Sequence, residues 1–322
     1  MDNKAIYKKT IGFSLWRVLW DLLATIAFFG FAAAGAVIAD KAANQALIGL
    51  AIGALLGGIA SWLILHFVGY TYKAGQIAMM TEGITTGKLP ENTIAAGKKI
   101  VKERFATVAA YYFVTGAIKG IFQQIGNGIT AIGQAVGGDS GGAVGGTISG
   151  IINTIVAYLC DCCLGWVFYK KDQKATQATL EGAAIFFKHG KTLIKNLGRI
   201  FGISLVSFLV IGGIFFGISY LVFQAFPDLM SSLSQALIET IDTPDSIPEI
   251  ITNTTYLGLV CSGVIGVIMW SILHSTFVRP FILVGVLRNF INSGKDEKIT
   301  KEDMAEVSKK SKKFAKLQAE EA

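Results

Sequence analysis

The chain has 322 residues, of which 52% are hydrophobic and only 16% are charged, and its formal net charge is +7. In a water-soluble protein of this length about a quarter of the residues are normally charged, so the composition excludes an ordinary soluble domain. The apolar residues come in long runs, and a helix needs about 20 of them to cross the hydrocarbon core of a bilayer. We therefore expect an all-α, multi-pass membrane protein.

Six membrane spans are predicted, arranged as three hairpins at about 11–70, 105–169 and 200–277. The apolar stretch after the basic segment 1–10 is too long for a cleavable signal peptide, so we expect it to remain as the first span. Lys119 interrupts the third span, and a Gly-rich tract follows it. The predicted spans are 15–38, 46–70, 106–122, 147–169, 200–223 and 256–277.

The positive charges lie almost entirely on one side of the predicted spans. With the N terminus placed inside, all 29 Lys and Arg residues except Lys41 and Lys119 fall on the inner side. The connection between the fifth and sixth spans has no Lys or Arg and carries five acidic residues. Cytoplasmic flanks of membrane spans are enriched in Lys and Arg. This pattern predicts a plasma-membrane protein with both termini in the cytoplasm.

A repeat follows the three hairpins. After the second helix of each hairpin comes an aromatic and basic edge, and then a helix-like segment that ends in Gly-Lys, at Gly87, Gly190 and Gly294. These glycines are 103 and 104 residues apart. We interpret the pattern as three units, each a hairpin followed by an amphipathic helix on the cytoplasmic surface. The alternative is that there is no repeat, because every six-span protein has three hairpins and Gly-Lys pairs are common.

Glycines recur every fourth residue in two of the predicted spans. Such spacing makes a flat stripe that lets another helix approach closely. Packing within the chain is the simpler interpretation, and an oligomer interface is the alternative. The glycines of these stripes are Gly49, Gly53 and Gly57 in the second span, and Gly138, Gly142, Gly146 and Gly150 before and within the fourth.

Ionisable groups within membrane spans are rare and often functional, and here the candidates are Asp161, His66, His274 and Lys119. Asp161 is the one that most needs a partner, which a Lys or Arg from a neighbouring helix can supply. Cys160 and Cys163, together with the two histidines, have the ligand types of a zinc site. Palmitoylation of the cysteines is another alternative. Simple packing of small apolar side chains is the favoured interpretation, so we expect no metal or other cofactor.

Motifs of soluble-type catalysis do not occur in the sequence. It has no Gly-rich phosphate loop followed by Lys and Ser or Thr, no H-E-x-x-H and no G-x-S-x-G. With three histidines in all, acid–base chemistry has few candidate residues. We therefore do not expect an enzyme.

Two segments outside the spans have helical patterns. Residues 227–241 place Leu229, Leu233 and Leu237 at helical spacing. In the charged C-terminal segment 295–322, Thr300 can cap a helix that runs towards Glu321, with Asp303 at its third position. This helix can dock on its own membrane domain of 1–294 or recruit a cytoplasmic partner. Nucleic-acid binding is not expected, because the basic charge follows the topology.

Part of the chain, about 105–213, resembles the choline transporter-like family. The similar elements are Cys160-Asp-Cys-Cys163-Leu-Gly-Trp166, the stretch that begins at Gly182-Ala-Ala-Ile, and Lys195-Asn-Leu-Gly-Arg199. The segment from Phe281 to Asn289 also loosely resembles that family's last membrane segment. The resemblance implies transport of a quaternary amine such as choline. That family has more spans than the six predicted here, so no substrate-binding residue is carried over.

Two functions follow from these patterns. The first is permeation or transport of a small molecule, similar to a quaternary amine. The second is a non-catalytic membrane scaffold or accessory subunit that forms oligomers through the glycine faces and recruits a cytoplasmic partner. A polar cavity that reaches the middle of the spans between the hairpins would favour the first.

Overall fold

The structure is a computed structural model that describes residues 1–43, 45–137, 142–194, 197–239 and 248–321. For residues 125–137, 142–155, 190–194, 197–199 and 201 it describes the backbone alone. Within these ranges the regular secondary structure is entirely helical, as the composition predicts.

The first hairpin is made of two very long helices. Helix α1 covers Asn3–Ala43, and α2 covers Ala46–Ile64. A π-helical turn, Leu65–Gly69, joins α2 to α3, Tyr70–Thr86, without a break. A 41-residue helix is about 60 Å long, or about twice the thickness of a hydrocarbon core. Each arm of the hairpin therefore has more length than one crossing requires.

The middle of the chain contains four helices. An Asn92 side chain caps α4 by accepting a hydrogen bond from the main-chain N–H of Ala95. Helices α4 and α5 meet at a bend of 82°. The four helices are α4 Thr93–Arg104, α5 Val108–Gly137, α6 Gly142–Tyr169 and α7 Ala175–Ile194.

The last third begins with α8, Leu197–Ser207, which continues through the π-helical turn Phe208–Gly212 into α9, Gly213–Ala225. The predicted helix at 227–241 is confirmed as α10. A second long helix pair follows, in which the π-helical turn His274–Val278 joins α12 to α13. The remaining helices are α10 Pro227–Glu239, α11 Glu249–Thr252, α12 Thr254–Leu273, α13 Arg279–Gly294, α14 Lys301–Lys310 and α15 Lys312–Glu321.

Among the described residues, four helices are long and apolar enough to cross a membrane, or five if the bent α4–α5 pair forms one span. They are Asn3–Ala43, Ala46–Thr86, Gly202–Ala225 and Thr254–Gly294. These four contain the first, second and sixth predicted spans and nearly all of the fifth. The third and fourth predicted spans fall on α5 and α6, where the described part of α6 forms a shorter apolar segment, Val156–Tyr169.

The chain divides into two compact units. The first unit contains Met1–Ser14, Thr71–Ile200 and Pro280–Ala322, and the second contains Leu15–Tyr70 and Phe201–Arg279. Among the described residues, every exposed large apolar side chain except Phe113 and Phe281 belongs to the second unit. The second unit therefore has the surface of a lipid-exposed bundle, whereas the described part of the first unit exposes few large apolar side chains.

The core of the first unit is closely packed around the C-terminal half of α6. Trp166, Val167 and Phe168 are fully buried there. A Cβ atom on Gly165 would lie 2.5 Å from a methyl group of Leu287 in α13. One on Gly182 in α7 would lie 2.9 Å from the Cys163 sulfur. Glycine at both positions lets α6 approach its neighbours at a distance that a side chain would prevent.

In the second unit, α1 and α2 pack through small residues. Gly49, Gly53 and Gly57 are buried and face α1. A Cβ atom on Gly57 would lie 2.6 Å from the carbonyl oxygen of Phe28, and one on Gly53 would lie closer still to that of Phe31. This glycine stripe of the second predicted span is thus occupied by the preceding helix of the same chain.

The C-terminal segment forms two helices that pack on α5 and α7 within the first unit. The predicted cap at Thr300 is confirmed, and it is a capping box: Thr300 Oγ1 accepts from the main-chain N–H of Asp303, and the Asp303 carboxylate accepts from that of Thr300. The helix ends at Lys310 rather than continuing, and Ser311 begins the next helix by accepting from Phe314 N–H. The buried face of the two helices consists of Val307 in α14 and of Phe314 and Leu317 in α15.

Candidate membrane cavity and buried ion pair

A cavity of about 470 Å³ opens within the second unit, between the α1–α2 hairpin and the end of α12. This volume lies in the range of small-molecule sites. Its polar lining comes from Asp21, Thr25, Ser61, Ser271 and Ser275. Its apolar lining includes Phe28, Phe29, Leu65, Ile268 and Ile272.

The cavity extends along the predicted spans. Asp21 lies towards the N-terminal end of the first predicted span, whereas Phe28 and Phe29 lie near its centre. Two π-helical turns border it, because Leu65 begins one and Ser275 belongs to the other. Such turns are uncommon in helices and are frequent at functional sites. The cavity therefore reaches the middle of the first predicted span with its aromatic lining, and its acidic residue lies nearer the end of that span.

Asp21 is the only carboxylate among the residues that line this cavity. Its electrostatic partner along the same helix is Arg17, four residues earlier, which the cavity lining does not include. A carboxylate among apolar helices is costly unless a cation compensates it. The cavity is consequently lined by one acidic side chain, whose charge interacts with that of Arg17.

His274 lies in a polar cluster beside the cavity. Its Nε2 is 3.1 Å from the Ser204 hydroxyl oxygen, and the indole N–H of Trp270 donates to Ser207 Oγ at 3.2 Å. His66, in the other π-helical turn, stacks on Trp62 with ring centroids 4.4 Å apart. Both histidines thus lie beside a tryptophan, since the ring centroids of Trp270 and His274 are 5.3 Å apart, and His274 contacts the Ser204 hydroxyl as well.

In the first unit, Asp161 forms an ion pair with Lys73. The Lys73 Nζ lies 2.8 Å from Asp161 Oδ1, and the Asp161 side chain is only 4% exposed. The expectation that a basic residue from a neighbouring helix partners this aspartate is therefore confirmed. The pair joins α3 to α6, and its two residues are 88 positions apart in the sequence.

The three clustered cysteines lie in the core of the first unit or at its edge. Cys162 and Cys163 are buried, Cys160 is partly exposed, and all are free thiols. Cys163 Sγ lies 3.5 Å from the carbonyl oxygen of Thr179 in α7. Within the described residues, no group of three or more His, Cys, Asp and Glu side chains is placed to hold a metal ion. The structure thus does not bring Cys160, Cys163, His66 and His274 together as one such group.

The other predicted positions have less to contribute to a site. Lys119 is exposed on α5. Gly138 lies outside the described residues, and Gly142, Gly146 and Gly150 lie in α6, where the backbone alone is described. The second glycine stripe therefore remains a prediction.

The sequence analysis did not identify the cavity, although one signal points to it. Trp62, Trp166 and Trp270 are separated by 104 residues each, in the second helix of each hairpin. Ser61 precedes the first tryptophan and Ser271 follows the last, and both line the cavity. Aligning the chain on its tryptophans would have placed each of these two serines directly beside one of the aligned tryptophans.

Comparison of the chain with protein-family models, with curated proteins and with solved structures gives no match. The class of protein is therefore defined by the fold itself. Its apolar helices are compatible with a multi-pass membrane protein.

Proposed function

We propose that this chain is a multi-pass membrane protein that binds a small organic cation in the cavity of the second unit and lets it cross the membrane. The observation that carries the proposal is Asp21, a carboxylate that lines a cavity of about 470 Å³ in a unit with an apolar surface. Such a group attracts positive charge strongly, because low-dielectric surroundings screen it poorly. The partial resemblance to choline transporter-like proteins favours the same class of substrate.

The ring faces of Phe28 and Phe29 add a second attraction for cations. Both side chains line the cavity, and their ring centroids are 5.2 Å apart in an edge-to-face arrangement. Aromatic faces attract cations through their quadrupole, most strongly where water is excluded. The carboxylate and the rings together suit a molecule with a charged nitrogen and a short carbon chain. No catalytic role or cofactor is part of the proposal.

The proposed topology has six spans, with both termini in the cytoplasm of a plasma-membrane protein. Four spans correspond to the long apolar helices, and α5 and α6 would supply the other two. Thiol labelling of three exposed positions tests the orientation in a variant whose four cysteines are replaced by alanine. We expect Asp228→Cys to react in intact cells, and Lys4→Cys and Lys312→Cys to react only after permeabilisation. Labelling of Lys4→Cys in intact cells would overturn this orientation.

The second candidate is a membrane scaffold, and the surface of the C-terminal helices favours it. The outward faces of α14 and α15 are exposed and highly charged, which suits a soluble partner. Their apolar face is occupied by the first unit, and Gly49, Gly53 and Gly57 are occupied by α1. A scaffold would thus have to use its charged or lipid-exposed surfaces, and cation uptake distinguishes the two functions.

Uptake into proteoliposomes that contain the full chain tests transport directly. With radiolabelled choline and ethanolamine as probes, we expect saturable uptake of at least one of them. Asp21→Asn should reduce it roughly tenfold or more, as loss of a hydrogen bond to a charged group predicts. Asp40→Asn is the matched control, because Asp40 is exposed near the other end of the same helix. Uptake no greater than that of empty liposomes would contradict the proposal.

A further inference from the structure

The hydroxyl groups around the cavity have a common orientation. Thr25 Oγ1 donates its hydrogen to the carbonyl oxygen of Asp21 at 2.8 Å, and Ser275 Oγ donates to that of Ile272 at 2.9 Å. Ser61 Oγ donates to the carbonyl oxygen of Ala24, on the neighbouring helix, at 2.5 Å. All three hydroxyl hydrogens are therefore used by main-chain acceptors.

This orientation determines what the cavity can offer a ligand. A hydroxyl has one hydrogen to donate and two lone pairs that accept. Since the hydrogens are engaged, Thr25, Ser61 and Ser275 present acceptors, and the carboxyl oxygens of Asp21 are also acceptors. Ser271 is the remaining hydroxyl of the lining. The polar lining is thus dominated by acceptors that a ligand must satisfy with N–H or O–H groups.

The aromatic part of the cavity is small by comparison. A quaternary ammonium ion has no N–H group and is typically held in a cage of several aromatic rings. Here the aromatic lining consists of Phe28 and Phe29, which are consecutive residues on one helix, and it contains no Trp or Tyr. The two rings can cover the carbon chain of a ligand on one side, but they do not surround its charged nitrogen.

We propose that this cavity selects a primary or secondary ammonium ion, whose N–H groups satisfy Asp21 and the serine oxygens, over a quaternary one. The inference rests on the proposed function, because it assumes that a cation occupies the cavity. It differs from the substrate that the resemblance implies, since choline has no N–H group. A ligand without N–H groups makes fewer hydrogen bonds to these acceptors, and each lost hydrogen bond of a charged group reduces affinity.

The N-methylation series from ethanolamine to choline tests this selection. Its members differ only in the number of N–H hydrogens that are replaced by methyl groups. Isothermal titration of the purified full chain should show affinity that falls along the series, roughly 10- to 100-fold in total. In the Ser275→Ala variant the affinity should fall less steeply along the series. Ser219→Ala is the matched control, because its hydroxyl also donates to its own helix, to Phe215, but does not line the cavity.

The possible outcomes separate the two proposals. Choline binding as tightly as ethanolamine or more tightly would overturn the selection and leave a cation site in place. An equal effect of Ser275→Ala and Ser219→Ala would also overturn it, because the acceptor role of Ser275 would then be absent. If no member of the series binds, the proposed cation site fails, and the selection fails with it.

Discussion

Lys73 Nζ and Asp161 Oδ1 lie 2.8 Å apart and join α3 to α6 in the core of the first unit. The Lys73 side chain is 36% exposed, whereas that of Asp161 is almost fully buried. Removing the lysine would leave a buried carboxylate without this partner. Such a loss costs more than an exposed ion pair contributes, because the remaining charge stays desolvated.

We therefore predict that Lys73→Met lowers the free energy of unfolding by about 2 kcal/mol, less than for a fully buried pair because Lys73 is partly exposed. Lys99→Met is the control, since Lys99 forms an exposed pair with Glu103 at 3.8 Å and should change stability by less than about 0.5 kcal/mol. Denaturant titration in detergent measures both. Equal effects of the two variants would show that the buried pair is not important for stability.

The contact between α1 and α2 predicts a difference between two neighbouring glycines. A Cβ atom on Gly53 would collide with the main chain of Phe31, whereas one on Gly58 would have no atom of another residue within 4 Å. Gly53→Ala should thus destabilise the protein by about 1–3 kcal/mol, as overpacking does. Gly58→Ala should be neutral or stabilising by about 0.5–1 kcal/mol, because alanine favours the helix. Thermal unfolding of the two variants checks this, and equal melting temperatures would contradict the close approach.

The C-terminal helices should detach at acid pH. Glu297 accepts a hydrogen bond from Lys188 at 2.9 Å, and this bond is the main reason that the pKa of Glu297 is lowered. The pKa of Asp303 is lowered chiefly by the main-chain N–H of Thr300. A lowered carboxyl pKa contributes stability above the unfolded value, about 4.3 for Glu and 3.9 for Asp, and this is lost as the pH falls through the folded value.

A spin label at Lys309→Cys, in the variant whose native cysteines are replaced by alanine, should consequently become mobile as the pH falls below about 4. In a Lys188→Gln background the pKa of Glu297 loses its main cause of lowering, so the transition should move to higher pH. A transition at the same pH in both backgrounds would mean that the Lys188–Glu297 pair does not hold the helices in place.

Features that depend on residues close together in the sequence could be predicted more fully than features that depend on how distant helices pack. The capping box of Thr300 and Asp303 is local and could be predicted residue by residue, and so could the helix at Pro227–Glu239. The sequence also indicated that Asp161 needs a basic partner, but the identity of Lys73 depends on how α3 packs against α6.

The cavity depends on packing over a still longer range. Asp21 and Ser275 line the same cavity although more than 250 residues separate them along the chain. From the sequence alone, Arg17 and Asp21 are interpreted as an ion pair at the membrane boundary, because both lie on one face of a helix four residues apart. What no local pattern shows is that α12 leaves a cavity open beside that face.

Arg17 and Asp21 together allow the central claim to be tested by changes in opposite directions. A cation bound in the cavity would compete with Arg17 for the Asp21 carboxylate, since these two side chains attract each other. Asp21→Asn should therefore weaken binding, and Arg17→Gln should strengthen it. Arg17→Lys keeps the charge and serves as the control.

The most direct measurement is the dissociation constant of ethanolamine for these four proteins, by isothermal titration of the full chain. The account predicts that Asp21→Asn raises the constant roughly tenfold or more, that Arg17→Gln lowers it, and that Arg17→Lys leaves it near the wild-type value. Ethanolamine binding that is unchanged by Asp21→Asn, or that is weakened equally by Arg17→Gln, would contradict a cation site at Asp21.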